Sequence, residues 1–501
     1  MNRDSRNRKL RRLRSGAQPR VLDLFSGCGG ISLGFHSAGF EIASSVELDP
    51  LAAASHHLNF HGSAPVAARL AKDITTIDAG ELVAEFAPAA RVEEAIDVIV
   101  GGPPCQAFAR VGRAKLREVR DHPRAFKQDP RGNLYLRYLA YVEELQPVAI
   151  LMENVPDVIN YGGHNIAEET CEALASMGYV SRYTLLNTVY YGVPQSRERM
   201  FLIAYARELA TEVSFPEPTH WFKLPKGYHG SRQVALKHVN GISARGQLSL
   251  VDSGSTSYVE PPQPTIGMTP AVTAHEALHD LPEITNHLHH GLPRGARRLN
   301  EFVPYRRVRP SPYEKLMRTW RGFESDSGVY DHTIRSLSER DFEIFRRMSP
   351  GDQYPEAHKI ALAIFAEELA SLKRHGPSPS RDSAAYRQLM KLTVPPYDPE
   401  KFPNKWRKMA AHEPARTLMA HLGKDTYSHI HYDSRQARTI SVREAARLMS
   451  FPDGFRFVGT MNPAFRQIGN AVPPLMALAL GREVMKTLTG SVCKEESLLS
   501  A

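Results

Sequence analysis

Ile96-Asp97-Val98-Ile99-Val100-Gly101-Gly102-Pro103-Pro104-Cys105-Gln106 decides the fold. The first five residues form a short apolar run of the kind that makes a buried parallel strand. Two glycines and two prolines then end it abruptly. The cysteine follows at the carboxyl end of the strand, where open α/β sheets place their ligands. A thiol held there by a stiff turn is positioned to attack a substrate, and the neighbouring segments support that reading over a small apolar residue in a tight turn.

Upstream, Arg20-Val21-Leu22-Asp23-Leu24-Phe25 reads as a first strand, Ser26-Gly27-Cys28-Gly29-Gly30 as a glycine loop, and Ile31 to Ala38 as a helix. This is the opening unit of a Rossmann-like nucleotide site. A second strand, Glu41 to Val46, ends in Glu47-Leu48-Asp49-Pro50, and an acid about 20 residues past the loop suits a ribose diol. Ala71-Lys72-Asp73-Ile74-Thr75 reads as the end of a third strand, where Asp73 could bond an adenine amino group or simply cap a helix. On these residues alone a nicotinamide dehydrogenase and an adenosyl-cofactor enzyme fit equally well.

Downstream of Cys105 runs a basic loop with Arg110, Arg113, Lys115, Arg117, Arg120, Arg124, Lys127 and Arg131. Such a loop could close over a phosphate backbone. Leu134 to Leu145 has helical periodicity. Val148 to Met152 is another buried strand and delivers Glu153 to the same edge as Cys105 if the two strands are parallel. A thiol and a carboxyl there can act as nucleophile and acid. Val193-Pro194-Gln195-Ser196-Arg197-Glu198-Arg199 leads into the apolar strand Met200 to Ala204, with the two arginines at alternate positions.

The 501 residues carry a net charge of +9, which suggests a polyanionic partner, nucleic acid first. No apolar run approaches a membrane span and no signal-peptide core is present, so a cytoplasmic protein is expected. The four cysteines, Cys28, Cys105, Cys171 and Cys493, include no CxxC pair, which favours free thiols over disulfides or zinc. His287, His289 and His290 have no acid or cysteine at ligand spacing, so no metal is expected.

The ordered set Asp23 to Gly30, Pro103-Pro104-Cys105-Gln106, Glu153-Asn154-Val155 and Gln195-Ser196-Arg197-Glu198-Arg199 resembles the cytosine-C5 DNA methyltransferases, of the prokaryotic restriction-modification or defence type. Near the end, Arg443 to Pro452 and Gln467-Ile468-Gly469-Asn470-Ala471-Val472-Pro473-Pro474 resemble the last two family motifs. The resemblance implies an α/β fold: a Rossmann-like S-adenosylmethionine-dependent methyltransferase sheet with a smaller, irregular target-recognition domain. It implies S-adenosyl-L-methionine as cofactor and double-stranded DNA as partner, with base flipping of the target. It assigns Cys105 as nucleophile, Glu153 to cytosine N3, and Arg197 and Arg199 to the base carbonyl and nearby backbone. For the cofactor it implies Phe25, Gly27, Cys28, Gly29, Gly30, Glu47, Leu48, Asp73, Ile74, Pro104 and Asn470. The family commonly has serine where this chain has Ala109, which lacks the hydroxyl for a phosphate contact of the loop.

The expected organisation is a basic disordered arm over 1–19, a catalytic and cofactor domain over 20–205, a target-recognition domain over 206–410, a hinge and return over 411–490, and a tail from 491. Gly227 to Pro270 reads as loops with short strands. Glu339 to Met348, Ile360 to His375 and Glu444 to Met449 read as helices, and Trp221, Trp320 and Trp406 as core residues. A monomer on DNA is expected, paired with a restriction or phage-defence system encoded elsewhere. The alternatives are an RNA cytosine-C5 methyltransferase and a catalytically inactive DNA-binding paralogue. The long recognition region without a cysteine between Cys171 and Cys493 favours DNA over RNA.

Overall fold

The structure is a computed structural model and describes residues 3–62, 71–104, 134–161, 164–239, 256–290, 299–377, 379–423 and 427–490. Contacts divide it into two units, one formed by residues 1–271 with 471–501, the other by residues 272–470.

The first unit is built on a six-stranded sheet. Its strands are β1 (Arg20–Leu24), β2 (Glu41–Val46), β3 (Val98–Gly101), β4 (Ala149–Asn154), β5 (Tyr179–Asn187) and β6 (Glu198–Ala206). The spatial order is β2-β1-β3-β4-β6-β5. The first four pair in parallel, and β6 enters antiparallel between β4 and β5. β1, β3 and β4 are apolar nearly throughout because both faces of the sheet are covered.

One face carries α4 (Ala79–Phe86), α5 (Leu134–Leu145) and α6 (Ile166–Ser176), which contribute Leu82, Tyr138, Val142 and Leu174 to the core. The other carries α2 (Gly30–Ser37) and α7 (Pro474–Thr489). The last two helices touch through small residues. A Cβ on Gly34 would stand 2.4 Å from the Ala477 Cβ, so only glycine lets them approach. The helix after Pro474 therefore packs back on the first sheet, as its motif position suggested.

Three expectations are corrected. The N-terminal stretch is not a disordered arm, because Arg3–Arg14 forms a helix, α1, with Leu10 and Leu13 buried. Its basic residues have partners along the amino edge of the sheet. Lys9 Nζ donates to the carbonyls of Leu145 (2.8 Å), Gln146 (3.0 Å) and Ile96; Arg6 donates to that of Met177 (3.1 Å), and Arg12 pairs with Asp97. These groups precede β3, β4 and β5, so arginine and lysine act here as caps for strand and helix ends. Second, the two described residues before Asp73, Ala71 and Lys72, lie in no strand, and the rest of the expected third strand lies outside the described residues. Lys72 N–H donates to the Glu47 carbonyl at 2.8 Å, and Asp73 turns the chain by accepting from Thr75 N–H at 2.8 Å. Third, the expected loops from Gly227 contain the helix Lys226–Ala235. Beyond it, Tyr258 bridges Tyr183 on the open edge of β5. The contacts thus carry the first unit to residue 271, where the sequence suggested 205.

The second unit has little sheet. Glu339–Arg347 and Tyr354–His375 are helices, the latter starting six residues before the expected Ile360. Phe345, Tyr354, Trp406 and Tyr427 form an aromatic core with ring centroids 5.0–5.5 Å apart along the Phe345, Trp406 and Tyr354 contacts. Trp320 is also fully buried, whereas Trp221, in the first unit, is half-buried. Helix Val442–Leu448 carries three neighbouring ion pairs. Arg443 pairs with Asp331 at 2.8 Å, and Arg447 with Asp453 at 2.6 Å. Glu444 takes Arg438 on both oxygens at 2.7 Å and completes a capping box with Ser441. Breaking such a buried pair on one side strands a charge, so these residues fasten the unit.

Candidate active site at the carboxyl edge of the sheet

β1 ends at Leu24, and the chain turns at Phe25 through a left-handed conformation (φ 61°). Phe25 and Ser26 N–H groups both donate to the Val46 carbonyl, which binds the loop to the end of β2. Gly27 (φ 55°) and Gly29 (φ 100°) also take left-handed backbone, and Gly29 caps α2. A Cβ on Gly30 would meet the Val472 carbonyl at 2.2 Å, whereas one on Gly27 would meet nothing within 4 Å. The loop is thus packed from below at Gly29 and Gly30 and open at Gly27. Cys28 is buried, and burial pushes its thiol well up, so it is a structural thiol rather than a nucleophile.

Glu47 lies beside this loop. Its Oε2 accepts Gly27 N–H at 2.9 Å and its Oε1 accepts Asp49 N–H at 2.7 Å. Burial raises its pKa, opposed by those two backbone donors. Asp49 caps α3 (Pro50–Phe60) through Leu51 and Ala52 N–H. Leu48 is 66% exposed. Asp73 is half-buried, and Ile74 is buried with its carbonyl accepting from Arg137.

Along the same edge β3 ends at Gly101. A Cβ there would strike the Leu24 carbonyl at 2.2 Å, and one on Gly102 would stand 2.9 Å from Glu153 Oε2. Both glycines are therefore set by close approach, the first to β1 and the second to the carboxylate. Asn154 Nδ2 donates to the Pro103 carbonyl at 2.8 Å and ties this turn to the end of β4. Pro104 is exposed. Cys105 and the basic loop after it lie outside the described residues.

Glu153 projects from β4 onto the same face as Arg199 of β6. In the register Glu153 stands opposite Phe201, so Arg199 is its diagonal neighbour two residues along. Arg199 Nε lies 3.1 Å from Glu153 Oε1, and each side chain is 13% exposed. Burial raises the Glu153 carboxyl, while Arg199 and Arg197 pull it down. Arg197 is 2% exposed and also acts on Glu153 electrostatically. Its own pKa is lowered by burial and then by the like charge of Arg199. It sits in the break between Ser196 and β6, held by Thr188, whose N–H donates to the Arg197 carbonyl at 2.9 Å. Tyr228 hydroxyl donates to the Ser196 carbonyl at 3.0 Å, so the helix Lys226–Ala235 supports this segment from the side.

The structure therefore brings together the glycine loop, Glu47, the Gly101–Pro104 turn, Glu153, Arg197 and Arg199 on one edge. Asn470 is the exposed last residue of a helix of the second unit, Met461–Asn470. Gly102, Asn154 and Tyr228 were missed as site residues; Gly102 and Asn154 lie inside quoted motifs, but the sequence names no partner for either. Among the described residues no group of three metal-binding side chains is found.

A buried carboxylate paired with one arginine and in the field of a second, with a glycine nucleotide loop on the same edge, is an arrangement for binding a flat polar ring next to a nucleoside-like cofactor. The model of the family described as C-5 cytosine-specific DNA methylase matches residues 19–261 and 327–486. The chain belongs to that family. It is a DNA cytosine-C5 methyltransferase. It is 38% identical over 483 residues to M.OihORF3336P of Oceanobacillus iheyensis, named as a candidate type II methyltransferase, covering 94% of this chain and 96% of that one. It is 29% identical to the type II methyltransferase M.AgeI of Thalassovita gelatinovora, over 93% of this chain and 99% of the relative. Mouse DNA (cytosine-5)-methyltransferase 1 is 26% identical over 95% of this chain, which spans only 29% of that protein. A crystal structure of a candidate DNA modification methyltransferase encoded within an E. coli prophage superposes with a TM-score of 0.57. It is 22% identical and covers 94% of this chain and 99% of its own, so it supports the methyltransferase fold. No helix among the described residues is long and apolar enough to cross a membrane.

Proposed function

We propose that the chain methylates C5 of a flipped cytosine in a specific duplex DNA sequence, through a covalent bond between Cys105 and C6, with S-adenosylmethionine as donor. The observation that carries this reading is the Glu153–Arg199 pair at 3.1 Å, pressed against Gly102 three residues before Cys105.

The residues fit the donor. The loop is open at Gly27, and each Glu47 oxygen spends one lone pair on a backbone N–H, which leaves the other for a ribose hydroxyl. Gly27, Cys28, Gly29 and Gly30 would line the methionine part, and Phe25, Leu48, Asp73 and Ile74 the adenine, with Pro104 on the same edge; the role of Asn470 is carried by the family resemblance alone. When bound, the donor supplies an electrophilic methyl group.

Cytosine C5 is a weak nucleophile. The Cys105 thiolate adds to C6, and the ring electrons move so that C5 becomes the nucleophilic end of an enamine. Glu153, raised by burial, holds a proton at N3 and compensates the charge that addition creates. Arg199 fixes Glu153 and, with Arg197, orients the base through its carbonyl oxygen. After methylation a base removes the C5 proton, the C6–S bond breaks and the thiolate leaves. Stacking hides C6 in a duplex, so the cytosine is flipped out, and the basic loop after Cys105 closes over the backbone.

The second unit is assigned to target recognition, and a monomer acting on DNA, paired with a restriction or defence system encoded elsewhere, completes the reading. A duplex carrying 5-fluorocytosine tests it, because fluorine cannot leave C5 as a proton would. Wild type with cofactor should form an adduct stable to denaturation at one sequence context, and Cys105→Ala should form none. An adduct with Cys105→Ala would refute the assignment.

A further inference from the structure

Beneath the glycine loop lies a buried polar chain that the chemistry above does not use. Asp23, on β1, is fully buried. Its Oδ2 lies 2.6 Å from Ser32 Oγ of α2. Ser32 Oγ lies 2.9 Å from Nε2 of His56 on α3, and His56 Nδ1 lies 3.2 Å from Ser45 Oγ on β2. Ser32 and His56 are fully buried as well. Four elements that bound the loop are thus joined through one imidazole. The protons can be placed consistently. Above about pH 7, where Asp23 is ionised, Ser32 donates to it and accepts from His56 Nε2–H, and Nδ1 accepts from the Ser45 hydroxyl. A neutral imidazole is what this needs, and burial pulls His56 down to about 3.

The same histidine touches the loop itself. A Cβ on Gly29 would stand 2.5 Å from Phe60 Cε2 and 3.0 Å from His56 Cδ2, and the two rings pack with centroids 4.8 Å apart. Gly29 is in left-handed backbone and its N–H donates to the Ser26 carbonyl, closing the turn that contains Gly27 and Cys28. The two rings form the floor on which this turn rests. Truncating His56 would remove part of that floor and leave Ser32, Ser45 and Asp23 buried without their bridge, a cost that falls on the loop geometry.

We infer that His56, through Ser32 and Asp23, is a positioning residue for the cofactor loop: it sets affinity for the adenosyl ligand without touching the reacting atoms. This rests on the assignment of the loop to S-adenosylmethionine. A shell that locks the supporting side chains of a binding loop is what precise ligand geometry requires.

The test is calorimetric binding of S-adenosylhomocysteine to the full chain, with no turnover involved, for wild type, Glu47→Ala, His56→Ala, Ser32→Ala and His56→Gln. Circular dichroism melts accompany each variant. Wild type should bind and Glu47→Ala should bind far more weakly; absence of binding to wild type would refute the cofactor assignment instead. His56→Ala and Ser32→Ala should weaken binding about 10-fold at temperatures where both remain folded, the equivalent of one lost hydrogen bond in the network. His56→Gln, whose amide can reach Ser32, should recover to within about 3-fold. Binding as tight as wild type in folded His56→Ala and Ser32→Ala would overturn the inference. So would a loss that His56→Gln fails to restore, since the hydrogen bond would then not be what matters.

Discussion

The two edges of the one sheet use buried charge for opposite ends. On the amino edge Lys9, Arg6 and Arg12 of α1 meet carbonyls and Asp97, acceptors that come from other elements. On the carboxyl edge Glu153, Arg197 and Arg199 are crowded together, with the carboxyl raised and the guanidinium of Arg197 lowered. The first edge spends its charges on acceptors of other elements and holds the fold, although burial pulls Lys9 down to about 7 as well. The second sets a carboxyl and two guanidinium groups close together beside the open glycine loop, and shifted groups in that setting mark a site prepared for a substrate. Left-handed backbone at Phe25, Gly27 and Gly29 falls on the second edge. The lesson is that burial of a charge does not by itself announce chemistry; what matters is whether its partners balance it.

The contrast can be broken by substitution. The largest expected effect is on the carboxyl edge: Glu153→Gln should lower the methylation rate by about 10²–10⁴-fold, as loss of a general acid does. Its melting temperature should fall only modestly, because the glutamine carbonyl can still accept from Arg199 Nε. A large loss of stability there would make Glu153 a fastener like those of the other edge. Next, Lys9→Ala should destabilise the protein by about 3 kcal/mol, because three buried carbonyls lose a donor. Denaturant titration reads this, and the rate per folded molecule should not change.

A smaller effect sharpens the comparison through pH. Burial raises Asp23 to about 7. The folded protein then holds a proton that the unfolded chain releases near pH 4. The stability tied to that proton is complete below pH 4 and is lost as pH rises to about 7. The slope is at most about 1.4 kcal/mol per pH unit. Asp23→Asn should flatten stability over that window, and an unchanged slope would contradict a buried, proton-holding Asp23. The smallest effect is expected at Arg8, whose pair with Glu94 is partly exposed: Arg8→Ala should cost less than about 1 kcal/mol.

Much of the carboxyl edge was legible in the sequence because each segment is local: an apolar run, a breaking turn, then the chemical residue. That order placed the Gly101–Pro104 turn and Glu153 on one edge, as the parallel pairing of β3 and β4 shows, whereas the register that sets Arg199 diagonal to Glu153 comes from the structure alone. The amino edge was not legible. An arginine-rich stretch reads as solvated when the carbonyls that take its charges lie more than 80 residues away in sequence, as those for Lys9 do. His56 is also non-local: it meets Ser32 and Ser45 directly and Asp23 through Ser32, on three other elements. The strand expected before Asp73 falls largely on residues 63–70, outside the described residues. The return of residues 256–260 to the edge of β5 is a non-local pairing with no turn signal to betray it.

The most direct measurement is conversion sequencing of DNA from cells expressing wild type, set against cells expressing Cys105→Ala. The account predicts 5-methylcytosine at one sequence context with wild type and none with the variant. Methylation that persists in Cys105→Ala, or unmodified DNA in both, would contradict it.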